Sequence, residues 1–352
     1  MSQVPALLPG SPALCEWTLA GGSAQCAPKL WRWRLRWHAH WHSRLQAQQQ
    51  RRFGTARPRQ TPIFILGLWR SGTTLLHERL AALPGLQSPQ TWQCFNPSTF
   101  VLTGAPSRIA RTARRPMDEG LVRSDSAQED EFALLLQGAP SLYRGFIDPR
   151  RFDQLAEEML GHSTGAAPDG SSPAWTNAWL HFLAGVEAQG GDRQLVLKSP
   201  NHSLRWTYIE RLFPHAKRIW IARPLEQVWH SNLRMWRSMI ETYGLWPCPD
   251  GALEAFLARC LSAYAQALSQ ALAETEANIC WVDFEDLFTQ PTALLRALSD
   301  FTGQQLNADA DALLAGIVQR FPAQAPNTRE LPLPPALQSH QQALLEIGRA
   351  HV

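Results

Sequence analysis

Three basic residues each stand just past a short apolar run: Arg70 after Ile63 to Leu66, Lys198 after Leu195 to Leu197, and Arg223 at the end of Arg218 to Ala222. Cations gathered at the ends of buried strands suit an anionic ligand. Arg70 also opens Arg70-Ser71-Gly72-Thr73-Thr74, where three hydroxyls and the free N–H groups of a glycine-bearing turn precede a helix with Leu76, Leu80 and Leu83 on one stripe. Strand, tight turn and helix is a phosphate-holding arrangement, because backbone N–H groups and the positive helix end converge on one point. Arg223 has a partner in Ser231. If Pro224 is the first helical residue, Ser231 lies nearly two turns on, roughly 10 Å along the axis. A long arginine at the helix mouth and a serine below it can grip a second phosphate from two sides.

The spacing G-x4-G-T-T from Gly67 to Thr74 copies a nucleotide-triphosphate loop, except that Thr73 stands where its lysine belongs. That lysine bridges β- and γ-phosphates, while a downstream aspartate helps to hold magnesium. Asp283 and Asp286 follow a different strand with no supporting motif. The loop is therefore expected to hold an anion without metal, through N–H groups, hydroxyls and a guanidinium fork.

The elements that must position these groups follow from pattern. Strands are expected at Ile63 to Leu66, Leu195 to Leu197, Arg218 to Ala222 and Ile279 to Val282, and helices from Ser203 to Phe213, from Pro224 to about Met239, over 251–275 and over 292–301. Apolar, non-alternating strands separated by helices predict an α/β fold: a P-loop-like parallel sheet flanked by helices on both faces, with ligands at the carboxyl ends of the strands. Ser126 and Glu129 have capping-box spacing ahead of Phe132, Leu135 and Leu136, which predicts Ser126 as N-cap and explains Glu129 without chemistry. The expected organisation is an arm and Trp/Arg-rich helix over 1–60, the α/β domain over 61–305, and a helical extension packed on it over 306–352.

Composition narrows the classes. In 352 residues, 45% hydrophobic and 18% charged content supports a substantial core, and a net charge of +3 gives no ground for a nucleic-acid partner. The six cysteines form no CxxC or Cys/His cluster, so neither a disulfide framework nor a structural metal is expected. No signal peptide or spanning helix is legible, and a cytoplasmic protein is the expectation. Leu30, Trp33, Trp37, Trp41 and Leu45 share a helical face among arginines and histidines. They are expected to pack on the domain behind them; contact of residues 29–45 with a membrane surface is the sharper alternative.

The segments GLWRSGTTLL (67–76), LKSPNHS (197–203), RLFPHAKRIWIARPLEQVWHSN (211–232) and WVDFEDLFTQP (281–291) together resemble the sulfotransferase superfamily. The bacterial branch related to tyrosylprotein sulfotransferases is the nearest match in pattern, over about residues 60 to 305. The resemblance implies the donor 3′-phosphoadenosine 5′-phosphosulfate (PAPS) and no metal. It implies that Arg70, Ser71, Gly72, Thr73 and Thr74 hold the 5′-phosphosulfate, and that Arg223 and Ser231 hold the 3′-phosphate. Two departures stand out. Trp69 replaces the family's proline, and no carboxylate lies about twenty residues past Arg70, where the tyrosylprotein branch has its base; Gln90, Thr91 and Gln93 occupy that stretch.

Sulfuryl transfer needs in-line positioning and charge stabilisation. Lys198 is expected to neutralise the leaving oxygen with help from Arg70. The base that deprotonates a hydroxyl, phenol or amine on a small-molecule or peptide acceptor is sought among His202, Asp125, Glu129 and Asp130. Two readings compete: a magnesium-dependent nucleotide kinase on the same scaffold, and a non-catalytic membrane-surface protein with a vestigial nucleotide fold. The oligomeric state is not legible.

Overall fold

A computed structural model describes residues 57–105, 112–115, 120–160, 173–272, 278–305 and 332–335, the single positions 337, 338 and 340, and scattered helical positions between 37 and 51. Most of the helical extension expected over 306–352 lies outside the described residues.

The domain opens with β1 (Ile63–Leu66), which is followed directly by the phosphate-type loop and α1 (Thr73–Ala81). Next come β2 (Leu86–Gln87), α2 (Thr91–Cys94), α3 (Phe100–Thr103), a hairpin of β3 (Thr112–Arg114) and β4 (Leu121–Arg123), and α4 (Asp130–Leu136). After two 3-10 turns, α5 (Phe152–Leu160) and α6 (Pro173–Gly190) lead into β5 (Gln194–Lys198), α7 (Pro200–Leu204) and α8 (Trp206–Leu212). The chain closes with β6 (Arg218–Ala222), α9 (Leu225–Tyr243), α10 (Ala252–Leu272), β7 (Ile279–Asp283), α11 (Asp286–Thr289) and α12 (Pro291–Thr302).

The main sheet runs β2-β5-β1-β6-β7, and every pairing in it is parallel. The central strand β1 is wholly buried and splits the core by alternation. Phe64 and Leu66 face a large cluster with the tryptophans of α6, α8 and α9; Ile63 and Ile65 face a smaller one with Leu75, Leu76 and Leu80 of α1 and Leu295 and Leu298 of α12. Helices therefore cover both faces, as the apolar strands predict. Leu333 and Leu337, near the C-terminus, join the larger cluster.

The structure corrects three local expectations. The helix expected over Ser203 to Phe213 is two short ones, broken at Arg205 (φ −130°, ψ 23°) so that its side chain turns inward. Pro224 is not the first helical residue: its ψ of 129° is extended, and α9 begins at Leu225. The Ser126/Glu129 capping box does not form. The Ser126 hydroxyl accepts from the Arg123 N–H, and α4 starts at Asp130 with Glu129 as its N-cap, making no side-chain cap bond. The Glu129 carboxylate is thereby left for other partners.

Phe64 lies edge-on to Trp206 at 5.4 Å between centroids and meets Trp179 and Phe213 at 6.2 and 5.9 Å. Phe64→Ala is expected to lower the unfolding free energy by about 3–5 kcal/mol through lost burial and the cavity left behind. Chemical denaturation monitored by tryptophan fluorescence measures this directly.

Candidate active site

The loop owes its shape to backbone conformations that few residues adopt. Gly72 has φ 91° and is the N-cap of α1; a Cβ there would meet Leu287 Cδ1 at 2.7 Å and Phe284 Cδ2 at 2.8 Å. Arg70 also has a left-handed φ of 69°, a conformation uncommon outside glycine. The loop is pinned from below. Ser203 accepts from the Gly67 N–H at 2.8 Å, Asn232 donates to the Trp69 carbonyl at 2.9 Å, and the Ser71 hydroxyl donates to the Leu68 carbonyl at 2.7 Å. Ser71 is buried, so its hydroxyl braces the loop in this state rather than lining it.

Two clusters form at the carboxyl ends of β1, β5 and β6. In the first, Arg70 Nε donates to Ser231 Oγ at 3.0 Å, and Arg223 donates to the Arg70 carbonyl at 2.6 Å while lying 4.0 Å over the Phe284 ring. Burial, and then the neighbouring Arg70 and Arg234 guanidiniums, pull the Arg223 pKa down to about 10. Mutual repulsion among three cations is what a bound anion relieves. The sequence pattern did not single out Arg234; its position three residues past Ser231, on the same helical face, was the available signal.

The second cluster is a hydrogen-bond chain that leaves the loop and returns to it. Trp69 Nε1 donates to the Tyr143 hydroxyl at 2.9 Å, and that hydroxyl donates to Glu129 Oε2. Glu129 Oε1 accepts from Lys198 Nζ at 2.5 Å, and Lys198 also donates to Thr74 Oγ1 at 3.2 Å. Burial pulls the Lys198 ammonium below its ordinary pKa, with Glu129 opposing the shift. Burial, together with the Glu129 charge, pushes the Tyr143 phenol well up, which keeps it a donor. Residues 90–93 hold no carboxylate, and the adjoining segment that carries Glu129 packs against them. Gln90 bridges to Ala127, Thr91 N–H donates to the Ser126 carbonyl and Trp92 N–H to that of Ser124, which sets Glu129 beside the expected stretch. Gln90 and Gln93 are taken up in the local cap of α2.

His202 does not reach this surface. It is fully buried, with Nε2 2.9 Å from Asp130 Oδ2 and Nδ1 3.1 Å from a guanidinium nitrogen of Arg205. Both ring nitrogens are engaged, so the arrangement argues against the expected base role and for a structural one. Asp130 is equally buried and also accepts from Trp179 Nε1 at 2.6 Å; Arg205 in turn pairs with Glu131. Asp125 is on the surface, paired with Arg123 at 2.8 Å. Asp283 accepts from the Glu285 N–H at 3.0 Å, in the turn after β7. Among the described residues no group of three or more His, Cys, Asp or Glu could hold a metal ion. Trp92, Phe100 and Tyr143 are buried in the larger core cluster, and of the three Tyr143 bonds to Glu129.

A parallel α/β sheet with a glycine-bearing, lysine-free phosphate loop and paired arginines defines a nucleotide-type group-transfer scaffold. This chain belongs to the sulfotransferase family, whose model matches residues 62–308. It is 30% identical over 246 residues to the omega-hydroxy-beta-dihydromenaquinone-9 sulfotransferase Stf3 of Mycobacterium bovis, and to that of Mycobacterium tuberculosis. Each alignment covers 69% of this chain and 62% of the relative, so the match spans under two thirds of those proteins' length. Among solved structures, sulfotransferase STF9 from Mycobacterium avium superposes with a TM-score of 0.62 over 88% of this chain and 80% of that one, at 17% identity. Sulfotransferase STF1 from Mycobacterium tuberculosis gives 0.56 over 79% and 81%, also at 17% identity. These two likenesses establish the fold.

Burial alone would raise the Asp130 carboxyl, but His202, the Trp179 N–H and Arg205 outweigh it and hold the pKa below its ordinary value. Its stabilisation is therefore complete above the unfolded carboxylate range, near ~3.9, and is lost as pH falls through the folded value. Asp130→Ala is expected to destabilise the protein by about 3–5 kcal/mol at neutral pH, because it strands buried partners. The gap to the unsubstituted chain should narrow below about pH 4. Denaturation midpoints measured across pH check both.

Proposed function

We propose that this protein transfers a sulfuryl group from PAPS to a hydroxyl on an apolar acceptor, without a metal. The observation that carries the reading is the Thr74–Lys198–Glu129 bridge, which joins the anion-type loop to a carboxylate open at the rim. Glu129 is 12% exposed, whereas its neighbour Asp130 is wholly buried.

The fit of the donor rests on the loop's own features. The N-cap Gly72 offers no side chain to the first turn of α1, so the Thr73 and Thr74 N–H groups are available to an anion, with Arg70 beside them. Arg223, Arg234 and Ser231 form a second cationic patch next to it, suited to a 3′-phosphate. When bound, the donor supplies an activated sulfuryl group on a phosphate leaving group.

The chain's residues then divide the remaining work. Glu129 takes the proton from the acceptor hydroxyl; each carboxylate oxygen accepts one bond now and retains a lone pair for another. Tyr143, held by Trp69, and Lys198 fix the plane of that carboxylate. Lys198 stands between Glu129 and Thr74, so its ammonium is placed to compensate charge that builds on the leaving oxygen, and Arg70 shares that task. His202 and Asp130 anchor the start of α4 beneath Glu129 and act as positioning residues. An apolar acceptor is favoured by the stacked, partly buried Phe95 and Phe132 close to Glu129 and by the Stf3 relatives, whose name specifies an omega-hydroxylated dihydromenaquinone.

Two measurements test this reading. Isothermal titration should show 3′-phosphoadenosine 5′-phosphate (PAP) binding without magnesium; magnesium-dependent ATP binding with no PAP affinity would instead point to a kinase. With labelled PAPS and a long-chain primary alcohol, Glu129→Gln should lower turnover about 10²–10⁴-fold while PAP affinity is kept. Unchanged turnover in that variant would remove Glu129 as the base.

A further inference from the structure

The N-terminal helical segment is held at one end and exposes two indoles toward the other. Gln49 is buried; its side chain donates to the Pro97 carbonyl at 2.7 Å and accepts from the Val101 N–H at 3.0 Å. Trp37 and Trp41, about three and two turns earlier, are 53% and 48% exposed, their rings in T-shaped contact at 6.2 Å. The expectation that this stripe packs on the domain behind it fails for these two residues. Isolated exposed indoles are ordinary, but two in contact make an apolar patch. The sequence around the pair is basic: from Lys29 to Arg52 it carries one lysine and six arginines and no Asp or Glu. Arg44 and Arg51 are exposed on the described part of the helix.

We propose that this segment docks the protein on an anionic lipid surface. Indole rings settle at the headgroup level, where their apolar body and N–H are both accommodated, and arginines beside them meet lipid phosphates. The T-shaped pair offers no parallel platform for a nucleobase, which favours lipid over nucleic acid. The foot of the helix reaches the site's own rim. The Pro97–Val101 stretch follows α2, and Phe95 stacks on Phe132 of α4 at 5.4 Å, three residues from Glu129. Docking therefore links the lipid surface to the edge of the site through packed elements. Only the consequence that a membrane-borne acceptor is delivered there rests on the proposed function; the docking itself does not.

The test is co-sedimentation of the full chain with phosphatidylcholine vesicles and with equimolar phosphatidylcholine/phosphatidylglycerol vesicles. Binding should be at least about tenfold stronger to the anionic vesicles and fall steeply toward about 1 M salt. Arg44→Gln with Arg51→Gln should weaken it about thirtyfold, at roughly fivefold per cation. Trp37→Ala with Trp41→Ala should weaken it about tenfold or more. Both double variants should keep PAP affinity, which reports intact folding independently. The proposal is overturned by equal binding to both vesicle types, by folded variants that bind like the unsubstituted chain, by displacement with single-stranded nucleic acid at low concentration, or by a dimer that the tryptophan substitutions abolish. Loss of PAP affinity in the unsubstituted chain with vesicle binding intact would defeat the proposed function and leave this inference standing.

Discussion

The ion pair between Lys198 and Glu129 is the constraint on which the site depends. Lys198 is the last residue of β5, nearly buried, and its ammonium would be costly there without a compensating charge. Glu129 supplies that charge from the start of α4, and Thr74 takes a second hydrogen bond from the loop. Breaking such a pair from one side commonly costs about 3–5 kcal/mol, because the remaining charge is stranded. The same contact fixes the distance between the loop and the carboxylate. Stability and positioning thus come from one interaction, and Trp69 and Tyr143 close the circuit by holding the other oxygen of Glu129.

Around that pair the charges separate by depth. Asp130, His202, Arg205 and Glu131 lie under the site in a buried network of ion pairs and hydrogen bonds. Arg70, Arg223 and Arg234 crowd the other side of the loop, where burial and repulsion depress Arg223. The carboxylate-rich side and the loop meet across Lys198 and across the Trp69–Tyr143 hydrogen bond. This polarity suits the proposed anion on one side and proposed proton acceptor on the other, and the two departures from the tyrosylprotein pattern fit together within it. Trp69 in place of proline gives the loop a donor, and that donor supports the carboxylate that arrives from a different segment.

The sheet was largely legible from sequence because its strands are buried on both faces. Ile63–Leu66 and Arg218–Ala222 have the boundaries that their apolar runs predict, and the three basic strand-end residues fall where topology places them. The two-residue β2 and the β3–β4 hairpin carry too little pattern to be read. Glu129 was hidden by a genuine ambiguity: Ser-x-x-Glu is the spacing of a cap, but a turn claims the Ser126 hydroxyl and the helix starts later. His202 misled for the opposite reason. Adjacency to Lys198 in the sequence implied adjacency in the site, whereas α7 turns it inward to Asp130. Tyr143 gave no more signal than any loop aromatic, since its role exists only through contacts 74 and 14 residues away in sequence.

The proposed function requires Glu129 and Lys198 to act as one unit in sulfuryl transfer. A double-substitution cycle of Glu129→Gln and Lys198→Met, read by single-turnover transfer from labelled PAPS to a long-chain alcohol, tests it most directly. Strong non-additivity is expected, with the double variant no slower than the worse single variant within about tenfold. Rate losses that simply multiply would show that the two residues work independently and would contradict their proposed coupling.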